Sequence, residues 1–192
     1  MSENIFHDKF RRLGFLSITG NLHEEIESAL LNLEWQKNKV SNLSVFFLVL
    51  DNPFNRWTRL VCDRYCKSNY LNKNLNEDDF LDFILYNKIC CKEFTRLQIN
   101  IYHESKIFET SPKINFLRLD PTIGYTLNHL LHDYKISNKF NNSLRPNQSL
   151  KPYITKLTNF LHNDVNIPYL NKVMKYLKDD YDFIDSINFY AR

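Results

Sequence analysis

The chain has 192 residues, 43% of them hydrophobic and 15% aromatic, and a formal net charge of +3. A chain of this length buries about 70% of its unfolded surface, so it builds a true core, and it has no run of about 18 apolar residues of the kind that crosses a membrane as a helix. With only three Gly and six Pro, the composition argues against a turn-dense sandwich or barrel. It also nearly excludes the glycine-built phosphate cradles of common cofactor enzymes.

The expected architecture is therefore mainly α: a compact helical domain, with a small antiparallel sheet around residues 96–119 and an α+β fold as the alternative. Residues 1–134 are expected to form the main helical domain and 135–152 a polar linker. Residues 153–192 would then be C-terminal helices docked on the main domain. No internal repeat is found.

Residues 1–14 carry Glu3, Asp8, Lys9, Arg11 and Arg12, too polar for the apolar stretch of a secretory signal. A reducing, cytoplasmic setting with free thiols is expected. Asn21 is placed to cap a helix reaching about Lys39. Glu24 sits at the capping-box position, and Ile26, Leu30 and Leu33 form the apolar stripe. Residues 43–50 are a continuous, partly β-branched apolar run, which fits a buried strand or a buried helical turn equally.

Pro53 suits the first turn of a helix reaching about Asn69. On its wheel Trp57, Leu60, Val61 and Tyr65 share one face. Arg64 falls inside that stripe and needs a partner there. A second helix is expected over 77–94, capped by Asn76. Its first turn, Glu77-Asp78-Asp79, complements the helix dipole. Leu97, Ile99 and Ile101 alternate with Gln98, Asn100 and Tyr102, the period of a strand, and 114–119 is a further short strand candidate. Pro121 opens a helix to about Tyr134, and two or three helices close the chain, one starting at Pro168.

The order helix, turn, helix, hairpin over 53–69, 77–94 and 96–109 resembles a winged helix-turn-helix. The acidic start of its second helix would repel DNA. Better contacts for nucleic acid are two sets of basic residues interleaved with aromatics. One is Arg56, Arg59, Arg64 and Lys67 beside Trp57 and Tyr65. The other is Lys151, Lys156, Lys172 and Lys175 among Tyr153, Tyr169 and Tyr176. Lysine and arginine meet phosphates, and aromatic faces stack on unpaired bases. Residues 134–178 hold eight basic residues against one acid, Asp164, and so carry +7, before Asp179, Asp180, Asp182 and Asp185 reverse the sign.

Arg96 and His103 are spaced R-x6-H, which resembles the signature of HEPN-type ribonucleases. That resemblance covers eight residues. It implies an all-helical, dimerising domain that cuts RNA without a metal, the His moving protons and the Arg stabilising phosphate charge. On a strand, positions seven apart point to opposite faces.

Cys62 and Cys66, one helical turn apart, and His129 with His132 are the candidate metal ligands. Cys90 and Cys91 point about 100° apart on a helix and do not share one metal. Burial in the core is the competing role for these thiols, and no cofactor is expected. Taken together, the sequence points to a non-catalytic binding or assembly subunit of a larger complex. Its expected partners are DNA or RNA and other protein subunits, with no membrane. A protein-only adaptor and a HEPN-like ribonuclease using Arg96 and His103 are the alternatives.

Overall fold

The computed structural model describes residues 5–37, 43, 45–68, 96–110, 113–137, 140, 144 and 148–190, with the backbone alone at Lys67, Ser68, Phe108 and Thr110. The expected helix over 77–94 and Cys90 and Cys91 lie outside the described residues. The chain divides into two compact units. A sheet unit comprises Met1–Asp51, Gln98–Pro146 and Phe183–Arg192, and a helical unit comprises Asn52–Leu97 and Asn147–Asp182.

Among the described residues the sheet unit holds five strands: β1 (Ile5–His7), β2 (Gly14–Leu16), β3 (Gln36–Lys37), β4 (Val45–Leu50) and β5 (Lys113–Arg118). Their order is β3-β1-β2-β4-β5. β1 runs antiparallel to β2 and β3, whereas β2-β4 and β4-β5 are parallel. Its helices are α1 (His23–Asn32), α3 (Gln98–Ser105), α4 (Ile107–Thr110) and α5 (Ile123–Asp133). The helical unit holds α2 (Pro53–Ser68), α6 (Lys151–Leu161) and most of α7 (Ile167–Asp185). The protein is thus mainly helical with a mixed sheet.

The run at 43–50 becomes the central strand β4. A parallel strand is covered on both faces, so it reads as a continuous apolar run instead of alternating. Phe47 and Val49 join Phe6, Phe15, Leu117, Ile26 and Leu30 of α1, and Leu127 and Leu131 of α5 on one face. Phe46, Leu48 and Leu50 join Ile5, Leu16, Ile107 and the partly buried Tyr102 and Phe183 on the other. Each fully buried Phe or Leu contributes roughly 1.5–3 kcal/mol. Phe15 stacks on Phe47 at 4.9 Å, and Trp35 meets Phe47 edge-on at 6.2 Å. Gly14 sits where a Cβ would come within 2.7 Å of Leu43 and Phe46.

The small antiparallel sheet expected around 96–119 is corrected. Residues 98–105 are helical, and the strand described in that range, β5, is parallel to β4. The apparent alternation misleads because Gln98 is buried at 0% exposure and Ser105 at 9%. Inward positions 98, 101, 102 and 105 follow the helical period, which a polar residue at 98 conceals.

The expected Asn21 cap is corrected as well. Leu22 precedes α1 in the left-handed region at φ 53°, without a side-chain cap, and the helix ends at Asn32 instead of near Lys39. Asn21 is buried at 1% exposure. Its Nδ2 donates to the Val49 carbonyl at 2.8 Å and to Gln98 Oε1 at 2.6 Å. Oε1 of Gln98 also accepts from the Asp51 N–H at 3.1 Å, and its Nε2 donates to the Asp51 carbonyl at 3.0 Å. Strand β2 stops at Leu16, so it leaves the backbone groups at the end of β4 unpaired. Two side-chain amides supply the partners that a longer β2 would have supplied.

Replacing Gln98 by Leu removes its bonds to the buried Asp51 N–H and carbonyl and to Asn21. A loss of roughly 3 kcal/mol in unfolding free energy is expected, since each orphaned buried group costs about 1–3 kcal/mol. Urea denaturation of Gln98→Leu against the unmodified protein measures it; an unchanged midpoint would refute this account of the strand end.

Candidate nucleic-acid interface

α2 starts at Pro53. Asn52 accepts the Asn55 N–H at 3.1 Å through its side-chain oxygen, which satisfies one of the free donors of the first turn. The helix buries Trp57, Leu60, Val61, Cys62 and Tyr65, so the expected stripe forms. Arg64 departs from its expected place in that stripe. Arg64 is exposed, Arg59 is half-buried, and Arg56 is buried at 2% exposure. The side chain of Lys67 lies outside the described residues.

α6 packs on α2. Tyr65 meets Tyr153 at 5.9 Å, and Phe54 meets His162 edge-on at 6.0 Å. α6 leads through a turn into α7. The turn is held by Asn163, which accepts the Val165 N–H at 3.1 Å, and by Asn166, whose Nδ2 donates to the Phe160 carbonyl at 3.0 Å. On these helices Lys151, Lys172 and Lys175 are exposed and Lys156 is half-buried. Lys172 Nζ lies over the Tyr169 ring at 5.7 Å. Phe160 and Tyr169 approach to 6.4 Å, with their planes tilted by 35°. The two basic-aromatic sets, far apart in sequence, thus belong to one compact unit.

A short pattern recurs along α6 and α7. Pro152, Tyr153, Ile154, Lys156, Leu157, Phe160 and Leu161 recur sixteen residues later as Pro168, Tyr169, Leu170, Lys172, Val173, Tyr176 and Leu177. Leu157, Leu161, Val173 and Leu177 are all buried at 1% exposure or less, so both copies use the same positions for the core. Each copy spans ten residues, shorter than the 20–50-residue periods that build repeat folds. Aligning the two Pro-Tyr pairs reveals it.

Arg96 precedes α3 and is half-buried. His103 lies in the last turn of α3, exposed, and belongs to the other compact unit. His129 and His132 are exposed on α5. The His129 ring is 3.2 Å from the Tyr190 hydroxyl, which also donates to Asp133. Among the described residues no group of three or more His, Cys, Asp or Glu side chains is placed to hold a metal.

Cys62 is buried, and that burial, with Cys66 and Asp63 adding to it, pushes its thiol far above the ordinary range. Burial, then Asp63, raises Cys66 as well. Zinc binds the thiolate, so this environment opposes metal capture. Iodoacetamide at neutral pH is expected to leave Cys62 unmodified in the folded protein and to label it in denaturant. Peptide mass spectrometry reads the difference, and rapid native labelling of Cys62 would refute its burial.

A raised folded-state value favours the protonated form, so the stability it supplies is present below the thiol's unfolded value. It is lost as pH climbs past about 8.5, where free thiols ionise. Tyr190 acts in the same sense, raised by burial and by its bond to Asp133, from about pH 10 upward. Thermal melts are expected to fall across that alkaline range. A melting temperature that holds or rises there would contradict the assignment.

No protein-family model matches the chain, and neither the curated proteins nor the solved structures contain a match to it.

Proposed function

We propose that the chain is a non-catalytic binding subunit of a larger assembly that contacts nucleic acid through the basic-aromatic surface of its helical unit. The observation that carries this reading is the gathering of both basic-aromatic sets into that one unit, where Lys151, Lys172 and Lys175 are exposed and Lys172 lies over the Tyr169 ring. Exposed lysines release counterions when they meet phosphates, and that release is the main source of nonspecific affinity.

A second observation is that side chains serve the backbone at the position where an open α/β sheet would take a ligand. In open α/β sheets a ligand sits beyond the carboxyl ends of two neighbouring parallel strands from which the chain departs in opposite directions. Here that pair is β2 and β4: from β2 the chain goes to β3 at one edge, and from β4 to β5 at the other. The Gln98 and Asn21 amides bond to the chain at that point.

Fluorescence anisotropy of labelled oligonucleotides at several salt concentrations tests the proposal. Saturable binding with a steep salt slope is expected. The double charge reversal Lys172→Glu, Lys175→Glu is expected to weaken it at least tenfold and to flatten the slope by about 1 for each phosphate no longer neutralised. An absence of binding at low salt would overturn the nucleic-acid reading and leave a protein-only adaptor.

A further inference from the structure

The repeated pattern on α6 and α7 has a directional consequence. Within each copy, Tyr, Lys and a second aromatic fall at i, i+3 and i+7: Tyr153, Lys156 and Phe160, then Tyr169, Lys172 and Tyr176. On an α-helix these positions share one face. Tyr169 and Lys172 are exposed and Tyr153, Lys156, Phe160 and Tyr176 half-buried, while Leu157, Leu161, Val173 and Leu177 are buried. The two stripes meet where Phe160 approaches Tyr169 at 6.4 Å. Ring, ammonium, ring is therefore presented twice, in the same order along the chain.

Resting on the reading above, we infer that these two stripes are equivalent half-sites for a single-stranded polynucleotide, with bases against the rings and phosphates against Lys156 and Lys172. A polymer that alternates bases with phosphates matches a protein surface that alternates rings with lysines. Duplex partners offer the charge without the base faces, because their bases are already stacked and paired. Accessible aromatic rings gain from unpaired bases, whatever the sequence. In the sequence, Asp164 of the turn is the one acid between Tyr153 and Tyr176.

The test uses the full chain with labelled oligothymidylate, oligouridylate and a mixed-sequence duplex. Single strands are expected to bind at least tenfold tighter than the duplex at equal salt. Tyr169 is 38% exposed, so Tyr169→Ala leaves the core in place, and circular dichroism verifies the fold. That variant is expected to weaken single-strand binding about tenfold with an unchanged salt slope. Tyr169→Phe keeps the ring and retains affinity. Lys172→Gln lowers the slope by about 0.7. Tighter binding of oligouridylate than oligothymidylate assigns the strand to RNA, and the reverse order to DNA; both support the inference. Equal affinity for the duplex, or a neutral Tyr169→Ala, overturns the single-strand inference while nucleic-acid binding stands. Failure to bind any of the three probes overturns the binding proposal itself.

Discussion

Strand β4 is covered on both faces, and that constraint sets the terms for the rest of the sheet unit. Apolar side chains above and below it exclude water, so every backbone amide along it needs a partner from within the chain. β5 runs beside it from Val45 to Leu50, and β2 pairs with it at Phe46 and Phe47. Past the end of β2 the supply stops, and Asn21 and Gln98 take over. This one requirement explains why a polar residue opens α3 at a buried position and why Asn21 turns inward instead of capping α1. It also explains why residues 97–101 resemble a strand without being one. The Oδ1 atom of Asn21 has no hydrogen-bond partner among the described residues, so the junction accepts a cost in order to keep the backbone satisfied.

The helical unit is built differently. Its described helices bury one narrow stripe each, and the residues flanking that stripe are long, basic or aromatic. Tyr and Lys side chains tolerate this position because each has an apolar body and a polar tip. Where Lys172 lies over Tyr169 and Phe160 leans on the same ring, the flank is ordered without being buried. An acidic counterweight follows in Asp179 and Asp182, and Lys178 is paired with Asp182. The positive character is thereby confined to the first half of α7.

Parts of this were legible in the sequence and parts were not. α2 was readable nearly to the residue, because Pro53 fixes its start and the stripe of Trp57, Val61 and Tyr65 has a clean helical period. The ends of α5 and the strand at 113–118 were readable within a few residues. The position of Arg56 was not, since a wheel assigns faces but cannot say how far neighbouring elements extend over an edge residue. The repeat linking α6 to α7 was present in the letters throughout. It became meaningful only once Leu157, Leu161, Val173 and Leu177 proved buried and Tyr169 and Lys172 proved exposed.

The sequence by itself determined the helical bias, the strong start of α2, the apolar run at 43–50 and the segregation of positive charge into residues 134–178. All of these depend on local composition and period. Only the tertiary structure decided that 43–50 is a strand, that its neighbours in the sheet are parallel, and that residues 56–67 and 151–176 share a compact unit. Strand pairing and burial are set by partners distant in the chain. A buried glutamine that completes another segment's hydrogen bonds has the same letter as one that faces water.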